Sequence, residues 1–182
     1  MAPLDAAGSH LRACELCWLA TDGPHGLTCC ALYYALPEPW CLLVMSSEQP
    51  RHVANLKAGS ACSVCVPRIP SFFGEPARQL TARCDGLPLV DSVRVEADAE
   101  LFYARYPPAR DFVEQGKRMR PEAELVPIRL RLVEGEYLAP LGGSKVHVRV
   151  KFFDLRMDTR DTARIPSRGS RTAASGGRNA RI

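Results

Sequence analysis

Residues 40–59 read WCLLVMSSEQPRHVANLKAG. The first six form an apolar run of strand length that leads into Ser46 and Ser47. A helix start follows: Ser47 is the expected N-cap, Glu48 suits the positive helix end, and Pro50 is tolerated in the first turn. Val53 and Leu56 supply an apolar spacing, and Gly59 closes the helix. Arg51 and His52 fall at the beginning of that helix. Unpaired N–H groups there, serine hydroxyls and a planar guanidinium together suit a phosphate, with His52 as a further donor. The same residues also describe an ordinary capped helix with a solvated Arg and His, and spacing alone does not separate the two.

On the N-terminal side, Ser9 caps a short helix to about Cys14, CWLAT is a strand, and DGPHG is a turn. LTCCALYYAL is a long strand broken by Pro37 and Pro39, in which alternation sends only one of Tyr33 and Tyr34 to each face. On the C-terminal side, ACSVCV is a strand. RQLTARC and LPLV form another, interrupted near Gly86. ADAELFYARYP is a helix ended by Pro107, with a second short helix over Arg110–Gly116. LVPIRLRLVEG, EYLAPL and KVHVRVKFF are closing strands. Six or seven strands with helices in about three places do not alternate as a doubly wound sheet would. The expectation is a mainly β, Greek-key-like barrel with peripheral α-helices. There is no internal repeat, and neither GxGxxG nor GxxxxGK[ST] is present.

The 182 residues suit one domain, and 46% apolar content is enough for a core. The net charge of +4 is misleading as a clue to nucleic acid. Residues 155–182 hold seven Arg against two Asp, leaving −1 for the remainder. We expect a barrel domain over 1–154 and a disordered Arg/Ser/Gly-rich tail over 155–182, with no nucleic-acid partner. Arg12, Glu15 and Asp22 interrupt any leader-like pattern, and no apolar run approaches the roughly 18–20 residues of a membrane span. A cytoplasmic protein with no membrane partner is expected. Its eight cysteines are then expected as reduced, mostly buried thiols. Cys14/Cys17 and Cys62/Cys65 have metal-like spacing. In a strand, however, residues three apart face opposite ways, so no metal site is assigned.

From Trp18 to about Lys151 the chain resembles the pyridoxamine 5′-phosphate oxidase-like FMN-binding split barrels, and within them the small YhbP-type proteins. LATDGPHGLTCCALYYA, LLVMSSEQPRHVANL, RQL and FYARYPPAR carry the resemblance, in that order. It implies an FMN-binding homodimer with the flavin cleft built across two subunits. It also implies an oxidoreductase acting on a small molecule by hydride transfer, with a reduced nicotinamide as possible donor. Ser46 and Ser47 then fall at the flavin phosphate and ribityl chain, and Arg51 and His52 at the phosphate. Gln79 falls near the ring or ribityl hydroxyls, the backbone of Thr28–Ala31 along the isoalloxazine edge, and Lys145 in a late G-x-K element. The chain departs from the pattern at Pro50, where a serine is usual, and at Ala77 and Ala82, where glycines are. No catalytic acid or base stands out; His25 and His147 are read as structural or solvated. The minority alternative is a non-catalytic flavin or haem binder, with His52 or His147 as axial ligand.

Overall fold

Period-2 burial shapes most of the molecule. In a computed structural model, which describes residues 3–70, 72, 75, 77–88, 92–119, 125–141 and 144–152, seven strands and four helices follow one another. Helix α1 (Pro3–Ala13) leads into β1 (Leu16–Asp22), β2 (Thr28–Glu38) and β3 (Cys41–Ser47). Helix α2 (Arg51–Lys57) precedes β4 (Ala61–Arg68) and β5 (Arg78–Pro88). Helices α3 (Ser92–Arg105) and α4 (Pro107–Met119) precede β6 (Leu125–Leu141) and β7 (Ser144–Lys151). The strand order is β3-β2-β1-β4-β5-β6-β7, and a further β3–β6 pairing closes the first six into an antiparallel barrel. After the β1–β2–β3 meander the chain returns to place β4 beside β1, which is a Greek key.

Inward residues fill the barrel. Cys17 and Leu19 come from β1, Tyr34 from β2, Leu42 and Val44 from β3, and Val64 and Val66 from β4. Leu80 and Ala82 add β5, and Ile128, Leu130 and Leu132 add β6. Each large apolar side chain so buried stabilises the fold by about 1.5–3 kcal/mol. Helix α1 closes one end through Ala7 and Leu11, where Tyr34 Oη donates to the Leu11 carbonyl (2.7 Å) and His10 Nε2 lies 2.8 Å from the Val66 carbonyl. Strand β3 is buried on both faces, because α3 packs Phe102 against Ala35 and Leu43 outside the barrel. Arg129 of β6 anchors α3 through two bonds to the buried Asp98 (2.8 and 2.7 Å) and a third to Glu38 (3.0 Å).

Several local expectations are corrected. Helix α1 starts at Pro3, well before Ser9. Ser47 is not an N-cap: it pairs with Leu125 in the β3–β6 ladder, and Pro50 takes the cap position with no side-chain bond. Gly86 does not interrupt β5, which pairs with β6 through to Pro88; its irregularity lies at Arg83/Cys84. LVPIRLRLVEG and EYLAPL are one 17-residue strand. Gly135 lets it continue past β5 at a point where a Cβ would strike the Thr81 carbonyl and Ala82. Four helices stand among the described residues, because Pro107 opens α4 as well as following α3, and α4 outruns Arg110–Gly116. The expected tail 155–182, and with it the boundary at 154, lies outside the described residues. Among the described residues no helix is long and apolar enough to cross a membrane.

Candidate functional site

The end of β3 and the start of α2 meet as expected, but the side chains there turn in different directions. Ser46 Oγ lies 2.8 Å from His52 Nε2, and His52 Nδ1 lies 3.5 Å from Cys30 Sγ. Ser46 and His52 are both buried. Burial holds the His52 imidazole below its ordinary pKa and pushes the Cys30 thiol up, so the pair rests neutral. Both nitrogens of His52 are therefore engaged inside the barrel end. Ser47 is half-buried and Arg51 exposed at the rim of the same end, with Thr28 opposite Thr21 nearby.

Asn55, fully buried on α2, organises this end. Its Nδ2 donates to Thr21 Oγ1 (3.1 Å) and the Gly26 carbonyl (2.8 Å), while its Oδ1 accepts from the His25 N–H (3.0 Å). The residue ties the 23–26 turn to α2. Sequence reasoning passed over it, although a second polar residue three positions after His52, on a helix that must bury its apolar face, was a readable signal.

Gln79 and Lys145 lie at the other end of the wall. Thr28, Thr21, Cys62 and Cys84 form one row across β2, β1, β4 and β5. Gln79 is five residues further along β5, or about 17 Å of strand. It alternates with the inward Leu80, so it faces outward. Leu138 pairs with both Gln79 and His147, and Pro140 with Lys145, which puts the late β7 element beside Gln79. The side chains of Lys145 and His147 are outside the described residues. A single barrel thus places Thr28, Ser46, Ser47, Arg51 and His52 at one end and Gln79 and Lys145 at the other.

Between these ends the outer face of β2–β1–β4 is open and apolar. Trp18, 48% exposed, is flanked across the strands by Ala31 and Cys65, and Ala20 by Cys29 and Ser63. Leu16 lies opposite Tyr33, which is 53% exposed while Tyr34 is fully buried. The FYARYP segment, by contrast, has a structural task. Arg105 donates to the Cys14 carbonyl (2.7 Å), and Tyr106 Oη to the Tyr34 carbonyl (2.8 Å), fastening α3 to the barrel. A cavity of about 670 Å³, lined by Leu11, Ala35, Trp40, Leu101 and Arg105, lies between α1, the β2–β3 hairpin and α3. None of the expected cofactor residues lines it.

Cys62 faces inward against Cys84, and Cys65 outward. Cys14 and Cys17 are buried, and burial pushes the Cys17 thiol up to about 12. Among the described residues no three His, Cys, Asp or Glu side chains are grouped to hold a metal.

No protein-family model and no curated protein matches the chain. Solved structures do share its fold. A haem-binding protein from Mycobacterium smegmatis superposes with a TM-score of 0.63 at 14% identity, covering 83% of this chain and 58% of that one. An FAD-binding protein from Mesorhizobium loti gives 0.56 at 17% identity, over 72% and 88%. A protein from Clostridium acetobutylicum related to general stress protein 26, of the pyridoxine phosphate oxidase family, gives 0.53 at 12%, over 81% and 94%. The chain therefore spans less than two thirds of the M. smegmatis protein, and it has the split-barrel fold these proteins share.

Proposed function

We propose that this protein is a flavoprotein of the small YhbP type that holds FMN between two copies of the chain and serves as an oxidoreductase for a small molecule. The observation that carries this reading is the division of the expected site between opposite ends of one open apolar face. Two barrels packed through Trp18, Ala31 and Tyr33 about a two-fold axis running across the strands bring the Arg51 end of one against the Gln79 end of the other. Each copy then completes two clefts, and the half-exposed aromatic rings are covered.

In such a cleft Arg51 and Ser47 bind the phosphate, and the Thr28 strand edge lies along the ring. Gln79 and Lys145 of the second copy orient the ring and ribityl chain. Helix α2 is too short to add much dipole, and Pro50 brings no N–H, so the guanidinium carries most of the grip. Ser46 and His52 act from behind, holding the strand end rather than touching phosphate. Bound flavin supplies the hydride chemistry, and the chain supplies binding and orientation. A reduced nicotinamide as donor and a cytoplasmic setting belong to the same reading, with no role for nucleic acid or membrane.

Haem, named for some of the structural neighbours, keeps only one of its two expected axial ligands. His52 has both ring nitrogens engaged, which leaves His147, whose side chain lies outside the described residues. The deciding experiment is an absorbance spectrum of the purified protein, followed by titration with FMN and with haemin. One FMN per chain with flavin bands is expected. No flavin and no FMN binding would overturn the reading, and a Soret band on haemin addition would put the haem reading in its place.

A further inference from the structure

The wall between the two ends carries a feature that flavin binding does not use. Cys62 and Cys84 are directly opposite each other on the antiparallel strands β4 and β5, and both point into the barrel. Their sulfurs are 3.2 Å apart, inside ordinary van der Waals contact, and Cys62 Sγ is 3.0 Å from the Cys84 carbonyl oxygen. Directly opposed residues on antiparallel strands have Cα atoms about 4.5 or 5.5 Å apart, and both spacings fall in the range a disulfide spans. The Cβ atoms of such a pair lie on the same face. Joining the sulfurs therefore needs only a rotation about the side-chain bonds and a small approach of the strands.

We infer that Cys62 and Cys84 form a dithiol that hydrogen peroxide oxidises to a cross-strand disulfide. The two thiols are not equivalent. The Cys84 S–H and the Gly86 backbone hold the Cys62 thiol below its ordinary pKa, while the same contact and burial push the Cys84 thiol up. Cys62 also lies three residues after the left-handed Gly59, which faces open space, so it is the attacking sulfur and Cys84 the resolving one. In the first step the Cys62 sulfur displaces hydroxide from the peroxide O–O bond. Its own proton completes a water molecule, and a sulfenic acid remains. In the second step Cys84 attacks that sulfur, the S–O bond breaks, and the Cys84 proton leaves with the hydroxyl as a second water. Two thiols lose two electrons in all, and one peroxide gains them.

The surroundings favour a small oxidant. The pair is almost wholly buried, but Cys62 is the second residue of β4, which begins at Ala61 soon after the left-handed Gly59. Gly86 leaves room beside Cys62 that the Leu56 side chain of α2 partly fills.

The test is treatment of the full-length protein with limiting hydrogen peroxide, followed by denaturation, maleimide labelling and mass spectrometry. The reduced protein takes eight labels, one per cysteine. The oxidised protein is expected to take six, to weigh less by two hydrogens before labelling, and to yield a peptide joining Cys62 to Cys84. Dithiothreitol should restore all eight. Cys84→Ser should stop the reaction at a sulfenic acid on Cys62 that dimedone captures, and Cys62→Ser should leave Cys84 unmodified. Should either variant fail to fold, the wild-type label count and cross-linked peptide still decide. Retention of label on both Cys62 and Cys84 after an excess of peroxide, or linkage of a different pair, would overturn the inference.

Discussion

If the cofactor cleft takes Arg51 from one copy and Gln79 from the other, two damaged chains should repair each other. Arg51→Ala removes the exposed guanidinium expected at the phosphate. Charge-assisted hydrogen bonds of that kind contribute about 1.5–3 kcal/mol, so FMN should bind roughly ten- to a hundredfold more weakly. Gln79→Ala removes a neutral contact, and the loss should be nearer tenfold. Consider a dimer made from one chain of each variant, isolated with two different affinity tags. One cleft combines both lesions, and the other combines an intact Arg51 with an intact Gln79. About 17 Å of strand separates Gln79 from the Thr28 row, so the two contacts fall toward opposite ends of one barrel. Titrated with FMN, the mixed dimer should show one site per two chains at the wild-type Kd, whereas each homodimer shows only the weakened sites. Flavin fluorescence polarisation or calorimetry reads this directly. A mixed dimer as empty as the two parents would refute the shared cleft, and so would an inability of the chains to form dimers.

Three further outcomes follow from the fold. Arg129→Met leaves the buried Asp98 carboxylate without its two bonds and should cost about 3 kcal/mol in urea denaturation, at the lower end for a buried pair because Arg129 is a third exposed. Joining it with Asp98→Leu should recover most of the loss. Gly135→Ala pushes a methyl into the Thr81 carbonyl and Ala82 and should destabilise by about 1–3 kcal/mol, read as a lowered thermal midpoint. His10 and His52 both have depressed pKa values from burial, so the unfolded chain binds protons first as pH falls. Their contribution is complete above the unfolded value near 6.5 and is lost as pH falls through their lower folded values. The urea midpoint should therefore drop between pH 7.5 and 5.5, and a His10→Gln/His52→Gln variant should show a flatter profile over that window.

Much of the architecture was legible because burial in a barrel has a period of two. KVHVRVK shows that period plainly, while ACSVCV and TCCALYYAL are short apolar runs bounded by turn residues; all three are strands where expected. Boundaries were less legible, because they depend on partners distant in sequence. Ser47 has every local mark of a helix cap, yet Leu125 holds it in a ladder. Gly86 and Gly135 look like breaks, yet each is a place where a neighbour comes close to a continuous strand. Pro107 stops one helix and starts another, and only the packing of α4 reveals the second role.

The candidate site divides in the same way. Residue types at 46–52 carry the phosphate chemistry in any conformation, so Ser47 and Arg51 could be named from the chain alone. Local spacing is blind to the direction a side chain takes. The barrel end turns Ser46 and His52 toward each other and Cys30, which a linear reading treated as free ligands. It also places Gln79 and Lys145 a barrel's length from Arg51, although the resemblance grouped them in one cleft. By itself the sequence determined the strand pattern, the barrel class and the chemistry available to a site, because periodicity and residue type are local properties. The tertiary structure alone decided which of those groups remain open to a ligand and which side chains meet, Cys62 with Cys84 among them. Those outcomes depend on register between strands far apart in the chain.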